Sequence, residues 1–311
     1  MKTPRDHGGG LDAAITRYGG TRADWLDLST GINPVPYPIP TLPADVWTAL
    51  PDQAAFDRLY GLARRFWNVP PDATIIGACG ASALIAALPR MVPTGQVCIP
   101  GPTYNEHGAA FRAAGWALGQ APTDAIVAVH PNNPDGLLWT ADQLTAPFTI
   151  IDESFGDVAP DQSLIALADR PGTVILKSFG KFWGLAGLRL GFAIGDPAII
   201  ARLGDILGPW QISGPALSIG AEALADPQWA RETRARLTTD AARLDTLLAS
   251  KGAKIIGGTT LFRLYKVQDA AAAQTRLAQN HVWSRTFPYA PDWLRLGLPA
   301  HGRWAQLEQA F

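Results

Sequence analysis

The sequence predicts an α/β protein: a large domain with a mostly parallel sheet flanked by helices, followed by a smaller α+β domain. Two observations carry this. Short apolar runs ended by polar residues or proline ("QVCIP", "AIVAVH", "FTIIDE" and "TVILKS") read as buried strands, with helical segments between several of them. Beyond about residue 205 the pattern changes to a long helix followed by a hairpin.

In chain order, an arm rich in Gly and Pro runs to about Pro43 and holds one helical piece, Leu11 to Arg17. "DRLYGLARRFW" (57–67) has helical spacing. "ATIIGACG" (73–80) reads as a strand ending in a glycine turn, and "ASALIAALPRMV" (81–92) as the helix that follows. The four apolar runs come next, and "RLGFAIG" (189–195) adds another strand. Leu203 to Ala225 reads as a bridge. "ARETRARLTTDAARLDTLLASKG" is a helix stopped by Gly252, "AKIIGGTTLFRLYKV" a hairpin and "LRLGLP" a late strand.

Composition excludes several classes. A net charge of −1 over 311 residues gives no reason to expect nucleic acid or an anionic membrane as partner. The two cysteines make no disulfide framework, which points to a reducing cytoplasm. "MKTPRDHGGG" lacks the apolar core of a signal peptide, and no run of about 20 apolar residues exists to span a membrane. The five His show no metal-ligand spacing, so no metal is expected.

Four pieces carry chemistry. "GACGAS", 77–82, is a glycine turn entering a helix, where free N–H groups and the positive dipole end can cradle a phosphate; alone, a tight strand–helix turn accounts for it as well. "HPNNPDG", 130–136, follows a strand at the edge where open α/β sheets bind ligands; Asn133 could donate to an anionic oxygen, or simply make an Asn-Pro turn. In "IIDES", Asp152 ends an apolar strand, where an acid needs a cation or a donor, or serves as a helix cap. In "SFGKFWGLAGLRLGF", Lys181 follows a strand and a Ser-Phe-Gly turn, and Arg189 begins the next strand. A lysine near a cationic arginine in a desolvated site favours its amine form, as imine formation requires, and an arginine grips phosphate with two donors. Of six lysines, Lys2, Lys251, Lys254 and Lys266 read as surface residues and Lys177 is the only near competitor.

The order of these pieces from Gly80 to Arg189 resembles the aspartate-aminotransferase superfamily, pyridoxal-phosphate (PLP) fold type I. The resemblance implies Lys181 as the lysine that binds the cofactor covalently, Asp152 on the pyridinium nitrogen and Asn133 on the ring phenolate oxygen. It implies Gly80, Ala81, Ser82, Ser178 and Arg189 on the phosphate, Tyr104 ("GPTYNEH") stacked on the ring, and Arg295 ("WLRLGLP") for an anionic substrate group. Tyr104 reads equally as a core tyrosine.

The arm narrows this. "HGGGLDAAITRYGG…WLDLSTGINPVP", with His7-Gly8-Gly9 and Asn33-Pro34, is similar to the opening of the threonine-phosphate decarboxylases of cobalamin biosynthesis. "DESF" and the lysine motif resemble the shorter, aerobic-pathway branch of that family. The likeness implies an arm over residues 1–40 that contributes to the small domain and the active site, a large domain over 41–204 and a small domain over 205–311. It also implies a homodimer and a phosphorylated amino acid as substrate. His7, Gly8, Gly9, Asn33, Arg285 ("VWSRTF") and Arg295 are then the candidate substrate contacts. The expected reaction is decarboxylation of O-phospho-L-threonine. The alternative is transamination of a phosphorylated amino compound, since histidinol-phosphate aminotransferases share the framework.

Three positions depart from the pattern. Phe155 stands where related aminotransferases have a Tyr that bonds the phenolate oxygen. Gly180 stands where many have Ser, and Leu50 where many have a Tyr that reaches the partner subunit's cofactor phosphate. Each removes a polar contact to the cofactor.

Overall fold

The computed structural model describes residues 6–311; Lys2 and the rest of the first five residues lie outside the described residues. The arm contributes α1 (Leu11–Tyr18) and β1 (Leu26–Asp27). Then follow α2 (Asp45–Thr48), α3 (Gln53–Phe66), β2 (Thr74–Cys79), α4 (Ala81–Ala87), β3 (Gln96–Cys98), α5 (Asn105–Ala113) and β4 (Ala117–Gly119). The centre of the chain supplies β5 (Ala125–Val129), β6 (Phe148–Asp152), β7 (Thr173–Ser178), β8 (Leu190–Gly195), α6 (Pro197–Leu207) and α7 (Gly214–Leu224). The remainder gives α8 (Pro227–Ser250), β9 (Lys254–Thr259), β10 (Phe262–Lys266), α9 (Ala270–Gln279), β11 (Val282–Trp283), β12 (Arg285–Phe287), β13 (Ala290–Gly297) and α10 (Trp304–Gln309).

Two compact units result. The larger takes Pro36–Asn133 and Leu137–Glu232. The smaller takes the residues up to Val35, Pro134–Gly136 and Thr233–Phe311. The sequence places the start of the small domain near residue 205, whereas α6 and α7 fold with the larger unit. Gly220 of α7 lets that helix approach closely: an added Cβ would meet Leu190 at 2.5 Å and Leu59 at 3.1 Å.

In the larger unit seven strands lie in the order β2-β8-β7-β6-β5-β3-β4. The last five of that series are mutually parallel, while β8 runs antiparallel to both β2 and β7. Every residue of β5 and β6 is buried, which is why their sequences read as unbroken apolar runs rather than alternating ones. One core gathers Val127, Ile150 and Leu176 of the sheet with Leu84, Phe111, Ile199 and Leu203 of the helices. Around the lysine motif Trp183 stacks on Phe179 at 5.1 Å and on Trp229 at 5.3 Å, both with 11° between planes.

The smaller unit holds a four-stranded antiparallel sheet in the order β12-β13-β10-β9. The arm joins this unit through a separate two-stranded sheet, in which β1 pairs parallel with β11. Leu11, Ala14 and Trp25 of the arm pack with Ala278 of α9. α8 ends as expected near Gly252, whose φ of 83° ends the helical path. Among the described residues no helix is long and apolar enough to cross a membrane.

Candidate active site

The expected cofactor residues of the larger unit converge. One pocket is lined by Ala81, Ser82, Tyr104, Asn133, Asp152, Ser178, Lys181 and Arg189. Asp152 and Ser178 are the last residues of β6 and β7, and Asn133 follows β5. The pocket thus lies at the carboxyl ends of parallel strands, where the first turns of the following segments leave polar groups free to face a ligand.

Its phosphate end is built on glycine. Gly80 has φ 80° and ψ 157°, a combination open essentially to glycine alone. A Cβ there would lie 2.4 Å from Arg189 Nη2, so the missing side chain is what lets the guanidinium lie against the turn. Gly191 does the same from the next strand, where a Cβ would lie 2.4 Å from the Ala81 nitrogen. Arg189 itself sits in the left-handed region, φ 55°, and its Nη1 donates to the Ala186 carbonyl at 3.1 Å. A cation, a hydroxyl from Ser82 or Ser178 and the backbone entering a helix make a donor set that fits a phosphate monoester.

The acidic end is closed and dry. Asp152 is 2% exposed. Its Oδ2 lies 2.7 Å from His107 Nε2, and its Oδ1 accepts from the Ser154 amide at 2.9 Å and the Ser154 hydroxyl at 2.5 Å. Burial, the largest influence, works against the charge, but the His107 hydrogen bond and charge and the two Ser154 donors outweigh it. The carboxyl is held below the usual carboxylate range. A buried carboxylate kept ionised suits a protonated pyridine nitrogen. Both ends of the pocket therefore fit PLP.

His107 was not singled out from the sequence. The one signal is its place three residues after Tyr104, with Tyr104 the residue before α5 and His107 in its first turn. The rings are 6.1 Å apart, edge to face.

The two neighbouring lysines separate cleanly. Lys177 is buried, its Nζ 2.5 Å from Glu153 Oε2 and 3.8 Å from Asp157 Oδ1, in a network that also ties Asp157 to Trp67 and Trp183. Lys181 lines the pocket, with Nζ 5.3 Å from the centre of the Phe155 ring.

In the smaller unit Arg285 and Arg295 are direct cross-strand partners on β12 and β13. Both reach the arm. Arg295 Nη2 donates to the Ser29 carbonyl, and Arg285 Nη1 donates to the His7 carbonyl and to Asp6 Oδ1, the last at 2.6 Å. Gly9 donates to Ser29 Oγ at 2.7 Å, and a Cβ on Gly8 would lie 2.4 Å from the Ser29 carbonyl oxygen, so the arm lies flat there because it is glycine. Burial and then the Arg285 charge push Arg295 down to about 9. The Asn33 side chain accepts from the Val35 amide at 3.1 Å and from Arg236 at 2.7 Å, within the same unit.

The profile of the family "Aminotransferase class I and II" matches residues 53–311. The chain belongs to the class I and II aminotransferase family. Within this family it is 40% identical to a threonine-phosphate decarboxylase of Sinorhizobium sp, over 96% of this chain and 94% of that one. It is 39% identical to a threonine-phosphate decarboxylase of Pseudomonas aeruginosa, over 98% and 96% respectively. The fold is also that of a histidinol-phosphate aminotransferase from Sinorhizobium meliloti solved in complex with pyridoxal-5'-phosphate. The TM-score is 0.84 at 18% identity, with 99% of this chain and 94% of that chain covered.

Proposed function

We propose that this chain is a PLP-dependent threonine-phosphate decarboxylase of cobalamin biosynthesis, acting as a cytoplasmic homodimer. It would convert O-phospho-L-threonine to CO₂ and 1-amino-2-propanol phosphate. The full-length likeness to two proteins of that name supports the reading. The observation that carries the choice of substrate is the Arg285–Arg295 pair. A phosphate monoester has nearly two negative charges and three acceptor oxygens, which suits two guanidinium groups better than a carboxylate does.

Bound in the pocket, PLP supplies an electron sink for the pair left at the substrate Cα when the bond to the carboxylate breaks. Lys181 would bind the cofactor covalently, and Arg189, Ser82, Ser178 and the Gly80-Ala81 backbone would hold its phosphate. Asp152 would keep the pyridine nitrogen protonated, Asn133 would donate to the phenolate oxygen, and Tyr104 would face the ring. Arg295 and Arg285, with His7 and the Gly8-Gly9 backbone, hold the substrate phosphate. With Arg285 and Arg295 engaged by the phosphate, the substrate carboxylate would be free of both and could take the orientation from which CO₂ departs.

Both cysteines, exposed Cys79 and buried Cys98, are free thiols, which suits a reducing compartment. Product analysis with phosphothreonine tests the reaction. One CO₂ and one amino alcohol phosphate per turnover are expected. Transfer of the amino group to a keto acid, with no CO₂ released, would favour the aminotransferase reading instead.

A further inference from the structure

In the larger unit one side chain ties the segment after β5 to the segment before α5. Asn132 is 4% exposed. Its Oδ1 accepts from the Thr103 hydroxyl at 2.5 Å, and its Nδ2 donates to the Pro102 carbonyl at 3.0 Å. A carbonyl can only accept, so the contact with Pro102 fixes which way the side-chain amide points. The backbone N–H of Asn132 donates to the Leu137 carbonyl at 2.8 Å and closes the loop that carries Asn133. All these residues belong to the larger unit.

The residues next to the tie face the pocket. Asn133 follows Asn132, Tyr104 follows Thr103, and both line it. Further along, each segment is also bonded to Asp152. The His130 backbone N–H donates to the Asp152 carbonyl at 2.8 Å, and from α5 His107 Nε2 lies 2.7 Å from the Asp152 carboxylate. Asp152 and Asn132 thus link the same two segments at two places. Asn132 makes its link directly beside the two residues that face the pocket.

We propose that Asn132 is a positioning residue, which locks Tyr104 and Asn133 to one another around the cofactor ring. This rests on the reading that Tyr104 faces the ring and Asn133 donates to the phenolate oxygen. The tie has a chemical use. A facing aromatic limits where the cofactor ring can lie, and a hydrogen bond to its oxygen weakens steeply once the donor is out of line. The two residues therefore serve one ring position only when their segments are fixed to each other.

The test is the visible absorption of the PLP-loaded protein followed against pH. Asn133→Ala removes a donor to a charged oxygen and should raise the pH of the transition by roughly one to two units. Asn132→Leu keeps the volume and removes both bonds of the tie. It should shift the transition in the same direction by a substantial part of that amount, and add little in the Asn133→Ala background. Thr103→Val breaks the tie from the other segment without touching Asn132 or Asn133. It should give a smaller shift of the same sign, and it decides the matter if Asn132→Leu does not fold. Thr149→Val serves as the control: it removes a buried hydrogen bond to the Ala146 carbonyl, at the start of β6, and should leave the transition in place. An unmoved transition in Asn132→Leu and Thr103→Val, beside a clear shift in Asn133→Ala, overturns the tie and leaves the role of Asn133 standing. An equal shift in Thr149→Val also overturns it, because the transition would then follow stability alone. No shift in Asn133→Ala removes the phenolate contact itself, and the proposal with it.

Discussion

Lys177 and Lys181 are one helical turn apart in number but meet opposite surroundings. Lys177 is enclosed with Glu153 and Asp157, an arrangement whose charges compensate one another and leave no amine for chemistry. Lys181 lines the pocket. Borohydride reduction of the PLP-loaded protein, followed by proteolysis and mass mapping, should fix the cofactor to the peptide at Lys181. A label on Lys177 would overturn the assignment. In Lys177→Met the label should stay on Lys181, while stability falls by about 3–5 kcal/mol because Glu153 is left buried and unpaired. His107 acts at the same scale. The depressed carboxyl of Asp152 is charged above the ordinary carboxylate value, and the charge is lost only as pH falls through the lower folded value. His107→Phe removes a hydrogen bond and a charge and leaves burial in place, so the pH at which Asp152 is lost should move upward. The acid limb of kcat against pH should move with it, and His107→Gln should fall between the two. An acid limb that stays put in His107→Phe would take Asp152 out of the control of His107.

At the scale of elements, β12 and β13 set two like charges directly opposite each other, an unfavourable pairing that the Asp6 carboxylate on Arg285 relieves in part. Arg295 carries the consequence: burial and then Arg285 lower it to about 9. In the cofactor-loaded protein, inorganic phosphate should therefore raise the melting temperature near neutral pH, where both guanidinium groups are charged. Arg295→Met should abolish this rise without lowering the melting temperature measured in the absence of phosphate. An equal rise in that variant would place the phosphate elsewhere. The sequence offered both arginines as joint contacts to one phosphate, but not the cross-strand register that sets them opposite each other. Their register depends on an irregularity between Thr286 and Phe287, and a slip of one residue would turn Arg285 to the other face. The strands of the large sheet were legible because burial on both faces leaves an unbroken apolar run. β4 was not, being three residues on an edge, two of them exposed. α9 was not either, because its buried face, Ala270, Ala273, Leu277 and Ala278, is nearly all alanine, and alanine also fills the exposed positions of the first turn. His107 stayed hidden for a further reason: nothing in "GPTYNEH" tells that this helix packs at the end of β6.

For the whole molecule, the larger unit leaves apolar surface that its own core does not use. Ile39, Trp47, Leu50, Ile206 and Trp210 are 66%, 68%, 64%, 54% and 52% exposed. They come from two short segments, and these are brought together: a Cβ on Gly214, at the start of α7, would lie 2.3 Å from the carbonyl oxygen of Val46, the residue before Trp47. Single exposed apolar residues are ordinary, but two tryptophans and three aliphatic side chains on adjoining segments are what an association surface looks like. Leu50 strengthens the argument, since the family's tyrosine at this place would offer a hydroxyl and leucine offers only apolar area. A stable dimer covers about 800 Å² per partner around a few buried aromatic anchors, and Trp47 and Trp210 suit that role. Replacing Trp47 and Leu50 together by Glu should convert a dimer into a monomer in sedimentation at micromolar concentration. Both side chains already face solvent in the single chain, so the melting of the larger unit should change little beyond what loss of the partner removes. A double variant that still sediments as a dimer would mean that the two copies meet through another face.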